Sequence, residues 1–226
     1  RRALEADPSS EVRGAVLALG SIASFFAGDL PNAHAWGIEA MRLAPRDSPW
    51  WIRCAGNMSA ILSHVDPARR TKSILDEGYR ALLKHEPGPD EWESFCESLA
   101  ITLNCEAGFD GELTAQLTDR LLYLVTQAPP TAHAARGWAH HGLAWAALFV
   151  GRFGDTGVAH AEAALEAFER AADLRNQLAS HAVLGVALAA RNSTAALEAS
   201  ASAIAIGSTV GGGFPLIYAR LLRSLV

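Results

Sequence analysis

The chain has 226 residues and a net charge of −5, half of its residues are hydrophobic, and its mean hydropathy is +0.12. The negative balance and the lack of a basic run argue against nucleic acid as a partner. The longest uncharged apolar stretch, Gly142 to Gly151, is about half the length needed to span a bilayer, so no membrane partner is expected either. Cys54, Cys96 and Cys105 are odd in number and contain no C-x-x-C, which suits core thiols in a reducing, cytoplasmic compartment. No secretory signal opens the sequence.

Taken in order, Arg1-Arg2-Ala3-Leu4 reads as the last turns of a helix already under way. Residues 1–9 are therefore expected to end a preceding helix, and the chain to be a segment of a larger polypeptide. Apolar residues then recur at helical spacing, and strand alternation is almost absent. The pattern predicts helices near 10–27, 30–44, 49–65, 67–85, 90–107, 111–127, 131–150, 155–173, 176–191 and 194–207, with one more from about 215. Ser48-Pro49 and Asp66-Pro67 each set a capping side chain before a proline at the first helical position. Asp110 and Thr131 mark two further starts. Stops fall at Gly28, Pro45–Pro49, Glu86–Asp90, Gly108–Gly111, Ala128–Pro130 and Gly151–Asp155. The helices alternate in pairs with short links, and successive pairs start near 10, 48, 90, 131 and 176. Those intervals of roughly 38 to 45 residues are the spacing of helical repeats. A single hairpin is too thin to bury its own apolar face and needs its neighbours.

The stretch from Gly28 to Pro45 carries a resemblance. Gly28, Leu30, Ala33, Ala40 and Pro45 sit where a tetratricopeptide unit places its turn glycine, its large residue, its small helix contacts and its proline stop. Trp138, Gly142 and Trp145 repeat the large–small–large spacing of a first helix, followed by Gly151 and Phe153 in the turn. Leu184-Gly185 supplies the same small contact, with Ala195-Ala196-Leu197 opening the second helix. The pairs at 49–85 and 90–127 match poorly. The chain thus resembles a degenerate tetratricopeptide array, clear in about three of five hairpins, with a generic α-solenoid as the alternative because the intervals exceed the usual ~34 residues. The resemblance implies an all-α fold of about ten to eleven helices in stacked antiparallel hairpins. It puts the array at residues 10–206, a glycine-rich hinge at 207–214 and the start of a further helix at 215–226.

The segment Ala164 to Asn192, with its Phe168-Glu169-Arg170-Ala171 turn and Asp173-Leu174-Arg175-Asn176 junction, is similar to helical repeats C-terminal to kinase or ATPase modules in large bacterial signalling proteins. Ser48 to Gly56 has the same character. That resemblance implies a sensor or assembly arm and no catalytic residue, since kinase and ATPase motifs are missing from this segment.

A search for chemistry agrees with that expectation. The glycine-rich Ile206–Pro215 has no lysine and does not match the phosphate-binding G-x-x-x-x-G-K-[ST] pattern. His133 and His140 share a helix face but stand about 10 Å apart along its axis, too far for one ion. His140 and His141 point about 100° apart. No metal and no cofactor is expected. There is no G-x-S-x-G. Glu93 and Glu97, one turn apart, form the one carboxylate pair worth naming, in a helix start whose acidic residues suit the helix dipole.

Six tryptophans remain: Trp36, Trp50, Trp51, Trp92, Trp138 and Trp145. Trp138 and Trp145 fall at packing positions. Trp50 and Trp51 are consecutive, so both can be buried only if neighbours wrap their helix. One of them, with Arg53 and Asn57, is a candidate for a concave groove, since aromatic and arginine side chains anchor such surfaces. Arg136 and His140, one turn apart, form a second candidate patch. The sequence therefore predicts a non-catalytic interaction domain that binds a peptide, a partner domain or a second copy of itself. Uncapped hairpin faces favour self-association. The alternatives are a small-molecule sensor hinged at Gly207–Gly213 and, remotely, a helical enzyme using Glu93 and Glu97.

Overall fold

The computed structural model describes residues 9–46, 48–65, 74–107, 109–150, 155–189, 191–210 and 213–225. Several sequence expectations lie outside them: the helix end at residues 1–8, the Asp66-Pro67 cap, Asp47, Gly108, and the Gly151 and Phe153 turn. Among the described residues the protein is all-helical. Its eleven helices are α1 (Ser10–Phe26), α2 (Leu30–Leu43), α3 (Pro49–Val65), α4 (Ile74–Lys84), α5 (Trp92–Glu106), α6 (Gly111–Gln127), α7 (His133–Phe149), α8 (Asp155–Arg170), α9 (Leu174–Ala189), α10 (Ser193–Val210) and α11 (Gly213–Leu225). The chain divides into two compact units, Arg1–Cys105 and Glu106–Val226.

In the first unit, local chemistry sets the turns. Gly28 adopts φ 80°, and its N–H and that of Asp29 bond back to the carbonyls of Phe25 and Ser24 at 3.0 and 2.9 Å. A left-handed residue closing a helix this way favours glycine, which lacks the Cβ that opposes it. Asp29 then caps α2 by accepting from Asn32 N–H at 3.3 Å, and the extended Ala44 ahead of Pro45 ends it. α1 packs on α2, and α3 packs on α1, α2 and α4. Gly56 brings α3 against α5 so closely that a Cβ there would lie 2.6 Å from the Ser98 Cα. Helices therefore surround α3, and every residue from Trp51 to Leu62 except Arg53 is buried. Met58, Ile61, Leu75, Leu82, Phe95 and Leu99 fill the core. Ala33 and Ala40 are fully buried.

In the second unit, α7 packs on α6, α8 and α9, while α9 packs on α8, α10 and α11. One apolar cluster joins Ala144 and Leu148 to Ala161, Val183 and Ala187, with Trp145 and Leu184 packed against it. Another joins Leu178 and Ala182 to Ala203 and Ala219. Gly185 sits at a close approach: a Cβ there would lie 2.7 Å from Leu222 Cδ2 and 3.3 Å from the Ala196 carbonyl oxygen. Gly142 is buried on α7.

Several boundaries differ from expectation, α8 for instance ending at Arg170 rather than at 173, and three of them show why. α10 runs through Gly207 to Val210 and α11 begins at Gly213, so the anticipated hinge at 207–214 is helical on both sides of residues 211–212, which lie outside the described set. Gly207 is buried there, and packing outweighs the ~1 kcal/mol cost of a helical glycine. Thr131 does not cap α7, whose N-cap is Ala132 without a side-chain bond. α9 starts two residues early because Asp173 accepts from Asn176 N–H at 3.1 Å, an Asx cap that outranks the asparagine as a start signal.

Candidate functional site

On α3 the four groove candidates separate. Trp51 and Asn57 are core residues at 2 % and 1 % exposure. That removes both from any binding surface, because helices cover α3 on the sides those residues face. Asn57 spends its amide on the carbonyl of Arg53, at 3.0 Å. Trp50 is half-buried and remains reachable. Arg53 crosses to α5, where its Nη2 lies 2.8 Å from Glu97 Oε2, while its Nε is buried without a partner. Glu97 is itself buried and Glu93 is exposed. The expected carboxylate pair is therefore not a pair: one member is neutralised by a guanidinium and the other faces solvent.

Elsewhere in this unit, α4 borders a shallow depression of about 430 Å³ lined by Glu77, Arg80, Ala81, Lys84 and His85. Arg46 pairs with Glu77, one of its lining residues. Glu91 accepts from Gly88 N–H at 2.8 Å and meets His85 Nε2 at 2.9 Å. Those bonds, the backbone one foremost, hold its carboxyl below the usual range. Burial pushes the Cys54 thiol up to about 12, so it is inert as a nucleophile. None of the three cysteines forms a disulfide, and Cys54 and Cys96 are buried.

In the second unit, α7 carries a ladder of rings one turn apart. Trp138 meets His141 edge-on at 5.7 Å, and Trp145 stacks on Phe149 at 5.7 Å. Trp138 also meets Phe168 of α8 edge-on at 5.8 Å. His141 Nε2 accepts from Trp145 Nε1–H at 3.2 Å, so the neutral ring carries its proton on Nδ1, and that nitrogen is buried with no partner. Burial pushes His141 down to about 4.

The adjacent His140 points instead into the α7–α8 seam, where its Nδ1 lies 3.0 Å from Nδ1 of His160. Both rings are half-buried. Desolvation, then the His160 ring, then Arg136 push His140 down to about 4. Burial likewise lowers His160. Arg136 and His140 do act on one another, as the one-turn spacing predicts, but His140 is engaged within its own hairpin and is not free on an outer surface.

His160 lies twenty residues from His140 on another helix, where no spacing along a single helix connects the two. Glu97, the partner of Arg53, is separated from it in the same way. Among the described residues no three His, Cys, Asp or Glu side chains gather around one point, and no helix is long and apolar enough to cross a membrane. No protein-family model and no curated protein matches this sequence.

Proposed function

We propose that the chain is a non-catalytic interaction domain built of tetratricopeptide-like hairpins, serving as the binding arm of a cytoplasmic bacterial signalling protein of the kinase- or ATPase-linked kind. One observation carries the reading. Within each unit the first helix of one hairpin packs on the first helix of the next: α1 on α3, α7 on α9 and α9 on α11. Packing of alternate helices in this way builds a row of first helices, and such a row is what a peptide or partner domain is read against in solenoid proteins.

The available anchors are Trp50 in the first unit and Arg136 in the second, both half-buried. Each has chemistry enriched in binding hot spots. The small-molecule alternative has less to stand on, since its hinge is largely helix. The buried Arg53–Glu97 pair leaves the carboxylate-enzyme alternative without its second acid.

The test is selection of binders from a displayed random peptide library, followed by anisotropy titrations with Trp50→Ala and Arg136→Ala. At least one variant should lose roughly tenfold in affinity, about 1.4 kcal/mol, while its thermal melt stays within a few degrees of the parent. A library with no enriched binder, or two variants that bind like the parent, would sink the assignment.

A further inference from the structure

We infer that His140 and His160 form a two-imidazole site for a late first-row divalent metal ion at the α7–α8 seam, with water completing its coordination. The sequence expectation of no metal came from spacing along single helices. The structure instead brings two ring nitrogens from different helices to 3.0 Å. Two imidazole nitrogens held about 2.0–2.1 Å from one ion at a right angle to tetrahedral angle stand about 2.9–3.4 Å apart. The existing separation is therefore within the range that a chelate needs.

α7 and α8 pack closely: Phe168 of α8 lies so near Gly137 of α7 that a Cβ there would be 2.7 Å from its ring. Ligands held on two packed helices lose little freedom on binding, which is the main gain of a preorganised site. Both rings are only half-buried, so water can fill the remaining positions.

Without metal the rings meet almost end to end, with centroids 5.2 Å apart and planes tilted by 32°, so one Nδ1–H donates to the other Nδ1. On binding, both rings must swing off that line by side-chain rotation, so that their lone pairs converge on one ion instead of facing each other. The donor ring gives up its Nδ1 proton and takes one at Nε2. Both rings stay neutral, and no net proton is released. Imidazole pairs with a near-right-angle bite suit copper(II) and nickel(II), and affinity peaks at copper(II) in the divalent series, with zinc below it. Arg136 opposes the ion, since its charge already acts on His140.

The experiment is calorimetric titration of the chelator-stripped, dialysed chain with copper(II) and zinc(II), with electron paramagnetic resonance on the copper form. The tightest event should take one equivalent and show nitrogen hyperfine coupling. His140→Ala and His160→Gln should each weaken it by roughly tenfold or more, as loss of one of two ligands demands. Arg136→Gln should tighten it, and His34→Ala should leave it unchanged. Circular dichroism melts confirm that each variant is folded, and a melting-point rise with zinc in the parent alone gives an independent readout. Failure of the parent to take up either ion, or a His140 or His160 variant that binds like the parent, overturns the site.

Discussion

The two units solve the same packing problem with different polar chemistry. Around α3 the buried polar groups are fixed by permanent charge and by the helix backbone. Arg53 holds Glu97 at 2.8 Å, Asn57 and Ser59 bond to carbonyls one turn back, and Ser98 and Thr102 do the same on α5. Around α7 and α9 the work falls to imidazoles. His140, His141, His160 and His181 all lie in the second unit, and burial is the leading cause that holds each of them towards the neutral form. An arginine–carboxylate pair keeps its charge across the range in which proteins function, whereas a buried neutral histidine holds only while protons are scarce. Similar hairpin packing can therefore be acid-resistant in one half of a chain and acid-sensitive in the other.

Three perturbations sharpen that contrast. The largest effect is expected from Glu97→Ala, which strands the Arg53 guanidinium in the α3–α5 seam. Breaking a buried pair costs about 3–5 kcal/mol, reduced here to roughly 2–4 because the Arg53 side chain keeps 29 % exposure to water. Urea unfolding at pH 7 measures it.

Next comes acidification of the parent in chelator-containing buffer. The folded pKa of His141, about 4, lies below its unfolded value of about 6.5, so its stabilisation is complete above pH 6.5 and is lost as pH falls towards 4. The linkage gives roughly 2 kcal/mol lost at pH 5 from this residue alone. His181, shifted in the same direction, adds to that loss. Urea midpoints between pH 7 and 5 should follow this curve.

The smallest effect is a gain. Ala172 sits at φ 55° in the turn where the Asp173 N–H bonds to the Phe168 carbonyl at 3.0 Å. Ala172→Gly relieves that strain and should stabilise the chain by about 0.5–1 kcal/mol.

Much of this architecture was legible in the sequence. Turn chemistry is local, so Gly28 and Asp110 marked real boundaries: a left-handed glycine follows α1 and an aspartate caps α6. What escaped was non-local. The divergence of Trp50 and Trp51 by one helical step was readable. Which of them faces the core was not, because that depends on α5 approaching α3 through Gly56. The partners Glu97 and His160 sit on other helices from Arg53 and His140, and no spacing rule connects them. Gly207 misled for the opposite reason: a local breaker was overruled by burial.

Hydrogen exchange read by mass spectrometry at pH 7 and pH 5, corrected for intrinsic rates and run without metal, tests the contrast most directly. Amides of α7 and α9 should lose protection on acidification by about 2 kcal/mol or more, while those of α3 between Ile52 and Leu62 hold theirs. Equal loss in both units, or a larger loss in α3, would contradict the account.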